Sequence, residues 1–208
     1  MKVYIINGPK AIGKTDFSVN LAEHLQENNK VLLLQGKRAT SSNIEDYFQK
    51  DGMITYDLAD YFTGLAPLET VLVHENDNLD FMISPLLEDK YEIKGEDINN
   101  LLNDISYDYV VIDGVDKNLI SNKTSVDIIG ENDLGLVNDS DTFFINKTTD
   151  DFDIRNHKDT IDGKSSRYLG SVKTGEYFKN VIDNLVSERE VEIPKLGFFE
   201  KLKASFRR

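Results

Sequence analysis

Apolar residues come in short blocks separated by glycine and polar turns. Residues 2–6 (KVYII) form a β-branched and aromatic run that stops at Asn7-Gly8, the pattern of a buried strand. From residue 15 to about 28, Phe17, Leu21, Ala22 and Leu25 recur at helical spacing, and residues 31–34 (VLLL) read as a second buried strand. Strand, glycine turn, helix and strand make a βαβ unit, which builds parallel sheets. Short helices are expected over 43–49 and 57–63, and a strand over 79–84. Residues 95–105 put Ile98, Leu101, Leu102 and Ile105 on one face of a helix. The run 109–113 (YVVID) is the most apolar strand and ends on an acid. Residues 114–135 are polar and glycine-containing and read as a loop with a short helix. A strand over 142–146, a helix over 151–162, a strand over 168–172 and a helix over 177–186 follow. The fold class is α/β, a mostly parallel sheet with helices on both faces. A domain over 1–187 is followed by a charged linker over 188–194 and a tail over 195–208.

Composition narrows the chemistry. With 208 residues the chain is long enough for one α/β domain with a buried sheet. It has no cysteine, which excludes disulfides and thiolate metal sites, and its three histidines are scattered. The formal net charge of -13 disfavours broad nucleic-acid binding. No apolar run reaches the roughly 20 residues that span a bilayer, and the N-terminus lacks a signal-peptide pattern. A cytoplasmic protein is expected.

The sharpest local signal is Gly8-Pro9-Lys10-Ala11-Ile12-Gly13-Lys14-Thr15, which fits G-x-x-x-x-G-K-[ST] and lies between a strand and a helix. Gly8 and Gly13 let backbone fold tightly around an anion. The loop amides and the following helix N-terminus would face phosphate, with Asp16 in the first helical turn. In this pattern Lys14 sits on the β- and γ-phosphates and Thr15 holds Mg²⁺. Asp113, at the end of the apolar strand, is the candidate acid for ordering the metal's water shell. ATP and Mg²⁺ are the expected cofactors. Glu96 and Asp97 are read as helix-start residues, and Asp153 and Arg155 as solvated surface charges.

Beyond these motifs, the chain resembles the MinD/ParA group of P-loop ATPases. The stretches that carry the likeness are GPKAIGKTDFSVNLAEHL, NKVLLLQGKRATSSN, TYDLADYFTGLAPLETVLV, NLDFMISP, YDYVVIDGVD and NDSDTFFINKTTDDFDIRN. The resemblance implies a P-loop NTPase fold, ATP binding, a homodimer and a role in positioning or recruiting a partner protein. This sequence departs from the group's pattern in several places, among them Lys10 and Ala11 where the group has two further loop glycines and a shorter chain with one late strand-helix unit missing or reduced. The signature lysine position is Pro9, with Lys10 one step later. The acid-x-acid pair of the first switch is matched by Gln35 and Lys37. Gly114-Val115-Asp116 stands where the group has a small Pro-Ala-Gly stretch, and Asp116 is the fallback candidate for orienting water. These departures imply a protein that binds ATP but hydrolyses it slowly or not at all, because phosphoryl transfer to water needs a positioned nucleophile. Lys14, Asp113 and Asp116 are the candidate catalytic residues.

The tail KLGFFEKLKASFRR resembles the membrane-targeting helix of the MinD branch. Placed on a helix, Phe198, Phe199, Leu202 and Phe206 fall within an arc of roughly 100°. Lys201 and Arg208 flank one side of that arc, and Lys203 and Arg207 the other. An apolar wedge bordered by cations suits an anionic membrane surface. The same stripe would also suit a C-terminal helix packed on the body. The membrane reading places the protein in the cytoplasm, attached peripherally to the inner face of the cell membrane. Two rival functions remain: a MinD-like scaffold indifferent to nucleotide, and a small-molecule P-loop kinase or synthetase.

Overall fold

The computed structural model describes residues 1–87, 89–137 and 139–197. The expected helix over 195–208 therefore lies outside the described residues from Phe198 onward, and with it Phe198, Phe199, Leu202, Lys203, Phe206 and Arg207. The chain divides into two compact units, Met1–Ile128 and Ile129–Arg208.

The first unit contains β1 (Lys2–Asn7), α1 (Lys14–Leu25), β2 (Val31–Gln35), α2 (Ile44–Tyr47), α3 (Leu58–Phe62) and α4 (Leu68–Val71). There follow β3 (Val73–His74), β4 (Leu79–Met82), α5 (Gly95–Asp104), β5 (Tyr109–Asp113) and β6 (Thr124–Ile129). Its strands run in the order β3-β4-β2-β5-β1-β6. β4, β2, β5, β1 and β6 pair in parallel, and the two-residue β3 is an antiparallel edge. Parallel strands joined through helices need both sheet faces covered. Side chains alternate along a strand, and the burial follows. Val3, Ile5, Leu32, Leu34, Val110 and Ile112 share a core with Leu58 of α3 and Ile98 and Leu101 of α5. The alternate positions Tyr4, Ile6, Leu33 and Val111 are fully buried on the opposite face. α1, whose Phe17, Leu21 and Ala22 are also fully buried, packs on β1, β2 and β5.

The strand β6 corrects the expected loop over 114–135. Its sequence TSVDII carries Thr124, Ser125 and Asp127, which break the apolar run, yet Ser125, Val126, Asp127 and Ile128 are all buried. Lys117 reaches Asp127 at 3.3 Å, so the charge entering the sheet is met by an ion pair.

The second unit holds β7 (Thr142–Thr148), α6 (Lys158–Asp162), β8 (Arg167–Lys173) and α7 (Lys179–Val186). β7 and β8 pair in parallel with register shifts. Phe143, Ile145, Ile161 and Tyr168 form its core. Ile193, from the stretch read as a linker, also joins that core, and Val191 donates its amide to the Tyr168 carbonyl at 2.9 Å. The helix expected over 151–162 is a 3-10 turn at Ile154–His157 followed by α6. Asp153 and Arg155 pair with each other at 2.8 Å while staying one-third exposed.

Candidate phosphate-binding site

Because β1, β2 and β5 run in parallel and in register, their C-terminal ends bring Asn7, Gln35 and Asp113 to one edge of the sheet. Open α/β sheets bind ligands at such edges. The loop from Gly8 to Gly13 leaves β1 there and enters α1. Its shape depends on positive φ at Gly8 (147°), Ala11 (61°) and Gly13 (95°). A Cβ on Gly8 would lie 2.2 Å from the Ile128 carbonyl oxygen, so only glycine lets the loop pass the end of β6. Gly13 is the left-handed N-cap of α1, whose first turn carries Lys14, Thr15 and Asp16.

Lys14 folds back over the loop, donating to the Gly8 carbonyl at 3.0 Å and the Pro9 carbonyl at 2.8 Å. Partial burial pushes its pKa below the ordinary lysine value, and the nearby Asp113 carboxylate opposes that shift. Thr15 is buried and donates its hydroxyl to Asp113 Oδ2 at 2.6 Å. Asp113 is only 2% exposed, and its Oδ1 is buried with no hydrogen-bond partner. Burial raises the pKa of Asp113 above the usual carboxylate value, against the hydrogen bond from Thr15, the charge of Lys14 and the amide of Gln35. Lys10 and Ala11 are exposed, Ile12 is buried beneath the loop, and Pro9 is partly covered. Asp16 accepts from the Asn20 amide at 3.3 Å within α1.

Asp116 stands apart from this cluster. It is exposed, and its carboxylate caps a 3-10 turn by accepting from the Asn118 amide at 2.9 Å. Gln35 is fully buried beside Asp113, whereas Lys37 is exposed. Sequence reasoning missed Tyr47 of α2. Its phenol pKa is raised to about 12, by partial desolvation first and then by Asp16, Asp113 and Asp46, although the residue stays 39% exposed. The local signal was the capping box Asn43-x-x-Asp46, which fixes where α2 begins. It does not show which way the helix faces.

These residues fit a magnesium nucleotide. The Gly8 to Gly13 backbone forms a cradle that a Cβ at Gly8 would obstruct. Lys14 supplies a cation, Thr15 an oxygen ligand, and Asp113 a buried oxygen lacking a partner. Among the described residues, no group of three or more His, Cys, Asp or Glu side chains is placed to hold a metal. Magnesium here would need phosphate oxygens and water to complete its shell.

Fold and loop together define a P-loop α/β protein. No protein-family model matches the chain, and no curated protein matches it by sequence. Solved structures do. A plasmid partition protein from Borrelia burgdorferi superposes with a TM-score of 0.70 at 18% identity, covering 90% of this chain and 98% of that one. A chain of the MinC:MinD cell division protein complex from Aquifex aeolicus gives 0.67 at 16% identity, covering 95% and 100%. The septum site-determining protein MinD from Pyrococcus horikoshii, complexed with Mg-ADP, gives 0.64 at 18% identity, covering 88% and 85%. The fold is therefore the MinD/ParA-like variety of the P-loop fold.

Proposed function

We propose that this chain is a MinD/ParA-type positioning protein: a nucleotide switch that binds Mg-ATP at Gly8 to Thr15, dimerises, and recruits a partner protein at a membrane. The observation that carries the reading is the Lys14–Thr15–Asp113 cluster at the carboxyl edge of a MinD-like sheet. Loop amides and Lys14 would hold the phosphates, and the Thr15 hydroxyl and the Asp113 carboxylate would hold Mg²⁺. Bound Mg²⁺ supplies charge neutralisation between the β- and γ-phosphates. Lys37 stands where the water-positioning acid is expected and Gln35 where its companion acid is, so ATP is retained rather than split quickly. Pro9 fixes one backbone angle of the loop, and Lys10 is the exposed cation available to reach a second copy. The basic, phenylalanine-rich sequence of the tail supports attachment to anionic lipid at the inner face of the cell membrane. One such segment binds lipid weakly, so a dimer would hold by avidity.

Co-sedimentation with vesicles containing about one-third anionic lipid tests the membrane arm. The full chain is expected to pellet with ATP and Mg²⁺. A chain ending at residue 194 is expected to stay in the supernatant while still binding ATP. Equal pelleting of both would contradict the anchor, and pelleting indifferent to nucleotide would favour a scaffold.

A further inference from the structure

Behind the Thr15–Asp113 contact lies a second layer of buried polar side chains. Gln35 ends β2 and is fully buried; its Nε2 donates to Asp113 Oδ2 at 3.4 Å. Ser84, also fully buried just beyond β4, donates its hydroxyl to Gln35 Oε1 at 3.5 Å. The run Ser84–Gln35–Asp113–Thr15 therefore crosses from β4 through β2 and β5 to the phosphate loop. Its polarity is set by chemistry. The Asp113 carboxylate only accepts, so the amide turns its donor end, Nε2, toward it, and Oε1 is left to accept from the Ser84 hydroxyl. A carboxylate at position 35 has no donor to offer and would set two acids against each other in a buried site.

We propose that Gln35, oriented by Ser84, is a positioning residue that fixes the Asp113 carboxylate for magnesium. Oδ2 is occupied by Thr15 and Gln35, which leaves Oδ1 to a metal-bound water. Thr15 can serve both groups, since its oxygen lone pairs face a metal while its O–H donates to Asp113. Partners of this second layer orient the ligands that touch a metal, and losing one typically weakens metal binding by about 10-fold or more. The inference rests on the Mg-ATP reading above and adds to it the residues that make magnesium useful.

The test compares ATP affinity of the full chain with Mg²⁺ and with EDTA, by calorimetry, for wild type, Gln35→Met and Ser84→Ala, alongside thermal unfolding. Wild type is expected to bind ATP more tightly with Mg²⁺. Gln35→Met should reduce that tightening by about 10-fold and leave the affinity in EDTA unchanged, because the loop amides and Lys14 are untouched. Ser84→Ala should reduce it by less, in the same direction. The proposal is overturned if Gln35→Met keeps the wild-type magnesium effect. It is equally overturned if both affinities fall by the same factor, which is what a merely structural role produces. If Gln35→Met does not fold, Ser84→Ala decides, and an unchanged magnesium effect there overturns it. Wild type failing to bind ATP overturns the nucleotide reading and this inference together. Wild type binding ATP while the variants behave like it overturns this inference alone.

Discussion

Replacing Lys90 with methionine keeps most of the side chain's volume and removes its charge. Lys90 Nζ lies 2.8 Å from Asp57 Oδ2 and 2.7 Å from Asp60 Oδ1. Asp57 is fully buried and Asp60 is 2% exposed. Removing one partner of a buried ion pair costs roughly 3–5 kcal/mol, because a charge is left behind without compensation. Here the carboxylates keep other donors. Asp57 still accepts the amides of Ala59, Asp60 and Leu86, and Asp60 still accepts the amide of Asp57. The lower end of the range applies, about 3 kcal/mol. For a chain of this size that lowers the melting temperature by about 6–12 °C. The chain has no tryptophan, so urea unfolding is followed by far-UV circular dichroism.

The pH dependence has a definite sign. Burial alone would raise the pKa of Asp60. The Lys90 hydrogen bond, the Asp57 amide and the Lys90 charge outweigh it and leave the group below the ordinary value. A carboxylate depressed in the folded state contributes stability above its unfolded pKa and loses it as pH falls through the folded one. The gap between wild type and Lys90→Met should therefore be full near pH 7 and close below about pH 4. A gap under about 1 kcal/mol at pH 7, the range of a surface pair, or one that does not change with acid, would refute the ion-pair account.

Two glycine substitutions separate rigid from yielding neighbours. A Cβ on Gly8 meets the backbone Ile128 carbonyl oxygen at 2.2 Å, whereas one on Gly36 meets a side-chain methyl of Val115 at 2.2 Å. Gly8→Ala should cost about 3 kcal/mol, from strain at positive φ and the clash together, and abolish nucleotide binding; Gly36→Ala should cost about 1 kcal/mol. Equal losses in urea unfolding would contradict the steric argument. With anionic vesicles and Mg-ATP, steady-state turnover should stay well below the roughly 1 s⁻¹ at the low end of ordinary enzymes. Faster turnover that disappears with Lys14→Ala would contradict the claim that Gln35 and Lys37 leave the site slow.

The parts of the molecule that could be read from the chain are those whose cause is local. Residues 8–15 carry their function in spacing and glycine chemistry, and the strands before and after them are nearly continuous apolar runs. Asp57 and Asp60 form a capping box at the start of the helix expected over 57–63, and Asp97 accepts the Lys94 amide at 2.8 Å at the start of α5 as expected. Where tertiary structure supplies the cause, the pattern is silent. β6 is hidden because Asp127 reads as a loop residue until Lys117 is seen beside it. Lys90 joins Asp57 from 33 residues away. Gln35 could be matched to a family position, but its hydrogen bonds to Asp113 and Ser84 follow from strand order.

The central claim is that this chain holds Mg-ATP through Lys14, Thr15 and Asp113. Equilibrium binding of ATP to the full chain, measured with Mg²⁺ for wild type and Lys14→Ala, tests it most directly. The account predicts saturable binding at one site per chain, lost by at least about 10-fold when Lys14 is replaced, the factor that about 1.4 kcal/mol represents. Binding that is absent in wild type, or equal in the two proteins, would contradict it.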